Sequence, residues 1–126
     1  MKTMSGGVRR YQLILGSIFV AALALYLLIL YRTGVEAEVM KVYFPYADEL
    51  IGGNIPETEY PPFALVFIAL PRLFAATPFG YDIAFVAEVA VFFMIGLVTI
   101  GKLAKRYNQS QHKAMLAYTV LMLLIL

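Results

Sequence analysis

Residues 11–31 read YQLILGSIFVAALALYLLILY, 21 positions without a charge between Arg10 and Arg32. A helix rises ~1.5 Å per residue and needs ~20 residues to cross ~30 Å of hydrocarbon, so this stretch is long enough to span a membrane. Tyr11, Tyr26 and Tyr31 near its ends fit the aromatic belt of a membrane interface. The rival reading is a cleaved signal peptide, with Val35 and Ala37 suited to the cleavage site. Its apolar core, however, runs to only ~7–15 residues.

Composition agrees with a lipid environment. The chain is 62% hydrophobic and 14% charged, with a mean hydropathy of +0.80. A soluble domain is about half apolar and about a quarter charged. The net charge of +2 is too small to argue for nucleic acid as a partner. No cysteine is present, which excludes disulfides and thiolate chemistry, and His112 alone cannot make a multi-histidine metal site within this chain.

Working outward, the pattern predicts an all-α, polytopic membrane protein with one membrane domain. Residues 1–10 are a basic N-terminal segment and 11–31 the first span. Residues 32–82 form an outer loop and 83–101 the second span, which carries one charge, Glu88. Residues 102–113 form a basic, polar loop that includes His112 and the sequon Asn108-Gln109-Ser110, and 114–126 begin a third span. The last apolar run has 13 residues, so the chain is expected to continue past Leu126, with further helices completing the protein. Within the loop, Val39, Val42, Tyr43, Tyr46, Leu50 and Ile51 recur at helical spacing. They predict an amphipathic surface helix that starts or kinks at Pro45 and stops at Gly52-Gly53. Tyr60–Pro71 is apolar for only 12 residues. Pro61-Pro62 can open a helix there, and Pro71, Pro78 and Gly80 break it, so a segment dipping into one leaflet is expected.

Charge sets the orientation. Seven of the eight acids lie between Arg32 and Asp82 inclusive, while Lys2, Arg9, Arg10, Lys102, Lys105, Arg106 and Lys113 lie outside that stretch. Lys and Arg in short loops stay cytoplasmic, so the N-terminus is expected inside and the acidic loop outside a plasma membrane.

The loop holds carboxylates but no histidine or cysteine, so its chemistry is that of a carboxylate base or a metal ligand. Glu36 and Glu38 follow the first span, and Glu59-Tyr60 precede the stiff Pro61-Pro62 corner. Their plainer roles are solvated charge and a first-turn partner of the helix dipole. Arg72 could contact a phosphate, or merely snorkel. Glu88, inside a span, must face protein or water.

Three runs in fixed order resemble a known family: VYFPYA at 42–47, GNIP at 53–56 and EYPPFA at 59–64. Over roughly residues 13–107 the chain is similar to the start of GT-C type membrane glycosyltransferases, most like the family-87, mannosyltransferase-like proteins. The resemblance implies one span, an outer loop with surface helices, then many more spans. It implies transfer of a hexose from a polyprenyl-phosphate donor to an acceptor hydroxyl on the outer face. It places the acceptor-activating base near Glu38, where the family has Asp closer to the Tyr-Phe pair, with Glu36 competing. Glu59, Tyr60, Tyr43 and Arg72 are the expected substrate contacts. No cofactor is required by the sequence, and a divalent metal is left open. Two other readings stand beside it, a small non-enzymatic accessory subunit and a transporter fragment using Glu88.

Overall fold

The computed structural model describes residues 6–34 and 39–125, with Val39 and Met40 through their backbone alone. Among the described residues it is all-helical. Five α-helices occur in order: α1 Gly6–Thr33, α2 Phe44–Ile51, α3 Pro62–Ala69, α4 Pro78–Arg106 and α5 Gln111–Ile125. A π-helical turn, Val39–Tyr43, leads into α2, and a 3-10 turn, Leu70–Leu73, extends α3. The chain has two helices long and apolar enough to cross a membrane, α1 and α4. Only 22% and 11% of their most apolar windows is buried among the described residues, which leaves most of both apolar surfaces uncovered there.

Both long helices exceed their predicted spans. The second span was expected from Ile83, with residues 78–82 in the outer loop. Instead, Thr77 caps α4, its Oγ1 accepting the Gly80 N–H at 3.1 Å, and Pro78 occupies the first turn. A hydroxyl cap followed by proline is a strong start signal, and it absorbs Gly80, which was expected to break helix, into α4. At the other end Asn108 adopts φ 55°. Gln109 N–H bonds Ala104 O at 2.7 Å and Asn108 N–H bonds Lys105 O at 3.2 Å, the paired bonds of a Schellman stop. His112 lies in α5 with its ring 4.7 Å from that of Tyr11, and not in a loop.

Contacts divide the chain into two compact units, Met1–Tyr26 with Ala90–Leu126, and Leu27–Val89. In the first, Phe19 stacks on Phe93 at 3.9 Å between centroids, and Phe93 in turn lies 5.3 Å from Tyr118. Leu97 and Met115 are fully buried beside them. Tyr118 closes on Gly96, where an added Cβ would overlap its hydroxyl.

The second unit holds the predicted outer loop. Ala47, Leu65, Ile68 and Tyr81 form its buried core, so α2, α3 and the first turn of α4 share one apolar centre. Pro45 sits in the first turn of α2. The helix ends at Gly52-Gly53, where Gly53 takes φ 89°. Asn54 N–H then reaches Glu49 O at 2.9 Å and Gly53 N–H reaches Leu50 O at 3.1 Å. Only glycine adopts that φ without cost, so the Gly pair turns the chain toward α3. Pro61 and Pro62 start α3. The α-helix ends at Ala69, just before Pro71, where the sequence predicts its break, and Leu70–Leu73 follow as a 3-10 turn with Pro71 in its first turn, where the missing N–H costs no helical bond. With about 20 Å of combined rise, α3 and this turn are shorter than the ~30 Å hydrocarbon layer.

Candidate functional site

The site lies within the Leu27–Val89 unit. The segment between α2 and α3 lines, with both helices, a groove of about 670 Å³ whose walls include Leu50, Ile55, Thr58, Tyr60, Leu65 and Leu70. Thr58 and Tyr60 are its only polar liners. Tyr60 stands at the rim, 38% exposed, with its N–H bonded to Thr58 Oγ1 at 3.2 Å. Its ring meets Tyr43 edge-on at 5.8 Å and Tyr46 edge-on at 6.4 Å. Tyr43 also lies 5.5 Å from Phe85 of α4. Edge-to-face pairs at these separations add about 0.5–1.5 kcal/mol each beyond burial. The rim is thus held by ring contacts among its own residues.

The predicted site residues fall into four places. Tyr43 and Tyr60 come together at the rim. Glu59 is exposed beside Tyr60, on the solvent side of the corner. Arg72 is drawn away from the groove: Nε donates to Asp48 Oδ1 at 2.6 Å and a terminal nitrogen donates to Ala75 O at 3.3 Å. Its guanidinium also lies 5.7 Å over the Phe44 ring. Arg72 thereby ties the turn after α3 to α2. Glu88 lies on α4, half-buried, and its Oε1 has no hydrogen-bond partner among the described residues. Glu36 and Glu38 lie outside the described residues. Among the described residues no group of three His, Cys, Asp or Glu could hold a metal ion.

Two features escaped the sequence reading. Asp82 is fully buried, and neither of its carboxylate oxygens has a hydrogen-bond partner among the described residues. Tyr81, also fully buried, donates its hydroxyl to Ile68 O at 2.6 Å, joining α4 to α3. The Thr77-Pro78 start signal would have placed both residues in a helix. Nothing in the sequence marks Asp82 as buried, since acids near a helix start are ordinarily solvated.

Comparison of the chain with family models, with curated proteins and with solved structures finds no match.

Proposed function

We propose that this chain forms part of a membrane glycosyltransferase. It would move a mannose-like hexose from a polyprenyl-phosphate donor to an acceptor hydroxyl on the non-cytosolic face of a cell membrane. The observation that supports the reading best is the convergence of the three sequence runs that carry the family resemblance. Tyr43 and Tyr46 of the first run meet Tyr60 of the third, and Pro56 of the second lines the same groove. Tyrosine faces pack against the C–H faces of a sugar ring, and their hydroxyls serve its oxygens. An apolar groove suits the hydrocarbon portion of a donor.

In this reading Glu38, or Glu36, takes the proton of the acceptor hydroxyl. The oxygen's electron pair forms the new bond to the anomeric carbon, the bond from that carbon to the donor phosphate oxygen breaks, and the phosphate leaves with the electrons of the broken bond. The configuration inverts. A phosphate is a good leaving group, so positioning and base catalysis carry the step. Glu59, Tyr60 and Tyr43 shape the mouth. Arg72, held by Asp48, is the candidate contact for the donor phosphate. The role of a metal stays open in this scheme.

The test is hexose transfer from polyprenyl-phosphate sugars by membranes carrying the protein. Glu38→Gln or Glu36→Gln should abolish transfer, and Tyr60→Ala should raise KM. Intact transfer in both glutamine variants would remove the base assignment, and absence of transfer by the wild type would remove the function.

One observation favours a second reading, a transporter that uses acids on α4. Asp82 and Glu88 both carry buried oxygens without hydrogen-bond donors among the described residues, and acids within a membrane-spanning helix mark ion or proton paths. Proton movement without sugar transfer would select it.

A further inference from the structure

We propose that the ends of α1, α4 and α5 within the first unit form a cationic collar that binds the headgroups of anionic phospholipids. Met1–Tyr26 and Ala90–Leu126 together carry seven Lys/Arg and no Asp or Glu. Arg9 and Arg10 lie in the opening turns of α1. Lys102, Lys105 and Arg106 lie in the closing turns of α4, and Lys113 lies in the first turn of α5. All six are exposed. Among the described residues the one ion pair is Asp48–Arg72, so none of the six has a carboxylate partner there.

Packing, and not chain order alone, gathers these charges. The Tyr11 ring of α1 lies 4.7 Å from the His112 ring of α5. Gln111 of α5 donates its Nε2 to Gly101 O of α4 at 3.0 Å. Gln12 of α1 and Met115 of α5 both lie against Gly101. Three helix ends thus meet around Gly101, and each brings its cations to that meeting point.

Local physics opposes the arrangement. Cations stabilise the C-terminal end of a helix and destabilise its N-terminal end. Lys105 and Arg106 suit the end of α4. Arg9, Arg10 and Lys113 instead sit at the positive ends of α1 and α5, whose first turns hold no acid. Like charges held together also repel. Keeping these loops on the cytosolic side needs the cations on one side of the membrane only. It does not need them gathered, or set against helix dipoles. Anions supplied from outside the chain offset both costs.

Depth selects lipid as the source of those anions. Arg10 adjoins the uncharged run 11–31, and Lys102 closes the uncharged run 89–101. Both runs belong to helices long and apolar enough to cross a membrane. When those helices cross, the collar lies at the level of the lipid phosphates, and Tyr107, 69% exposed, joins the aromatic belt. Clusters of roughly four to eight Lys/Arg beside a span attract anionic lipid, each cation favouring it about fivefold. A soluble acidic partner would have to displace the bilayer from a patch that the spans hold against it. The proposal is independent of sugar transfer.

The chain has no tryptophan, so Leu103→Trp installs a single reporter beside the collar, at an exposed position of α4. Leu25→Trp, exposed and about 22 Å along α1 from Arg10, is the control. The protein is reconstituted in vesicles whose two leaflets share one composition, so its orientation does not affect the reading. Quenching by acyl-brominated phosphatidylglycerol is compared with quenching by acyl-brominated phosphatidylcholine. Leu103→Trp should favour phosphatidylglycerol about fivefold, and Leu25→Trp should favour neither. Adding Arg9→Gln and Arg10→Gln, on α1, should lower the preference read on α4. Adding Lys105→Gln, Arg106→Gln and Lys113→Gln as well should abolish it. Equal quenching of Leu103→Trp by the two lipids would overturn the proposal, as would an equal preference at Leu25→Trp. A preference that survives loss of all five charges would overturn it too. One untouched by Arg9→Gln and Arg10→Gln would overturn the collar by leaving α4 to act alone. If Leu103→Trp does not fold, Tyr107→Trp serves in its place.

Discussion

Removing one oxygen from Tyr81 tests the joint between α3 and α4. The Tyr81 ring is fully buried and its hydroxyl donates to Ile68 O at 2.6 Å, across 13 residues of chain. A typical hydrogen bond contributes about 0.5–1.5 kcal/mol net, and an acceptor left buried and unpaired adds a cost of about 1–3 kcal/mol. Polar contacts between membrane helices average about 0.6 kcal/mol and reach about 1.7. Tyr81→Phe should therefore cost about 1–2 kcal/mol, close to a tenfold change in the folding equilibrium. Tyr118→Phe is the control. It removes the same atom from a half-buried ring whose bond to Phe93 O is 3.3 Å long, at the weak end of the range. That loss should be about 0.5 kcal/mol or less. Reversible unfolding in mixed micelles, followed by circular dichroism, measures both. Hydrogen exchange at the Ile68–Arg72 amides should accelerate in Tyr81→Phe alone. If Tyr118→Phe proves as costly as Tyr81→Phe, or if Tyr81→Phe is neutral, burial and bond length do not set the strength of these contacts and the joint has been misassigned.

Other perturbations follow from the same geometry. Asp48 and Arg72 side chains are 47% and 24% exposed, so a double-mutant cycle of Asp48→Ala and Arg72→Leu should give a coupling of about 1 kcal/mol or less, falling with added salt. Thr77→Ala should cost about 1 kcal/mol by uncapping α4. Thr77→Ser should restore most of it, as read by helix content and unfolding midpoint. Gly96→Ala forces a Cβ onto the Tyr118 hydroxyl. It should cost about 1–3 kcal/mol, and adding Tyr118→Phe should recover part of that loss, a recovery that a purely local backbone effect would not show.

The long apolar runs were legible because lipid-length hydrophobicity is a property of composition, which needs no tertiary contact to read. Gly52-Gly53 was legible for a similar reason: positive φ is a local demand that only certain residues meet. The break at Pro71 was legible because proline cannot extend an α-helix, which ends at Ala69. Gly80 was misread as a break because the Thr77 cap carries it past the start of α4. At the site, Tyr43 and Tyr60 were singled out separately, but their meeting depends on the fold of α2 against α3, which spacing does not encode. The Asp48–Arg72 pair spans 24 residues and was invisible for the same reason. Asp82 went unremarked because its residue type argues for solvent, and only packing reveals otherwise.

The link from Asp48 to Arg72 has a mechanical side. It fastens α2, which carries Tyr46, to the turn that follows α3, while the Tyr81 hydroxyl fastens α3 to α4. A displacement of α3 therefore reaches its two neighbours through one exposed ion pair and one buried hydroxyl. Added salt, which weakens only the first, would loosen α2 while leaving the joint to α4 in place.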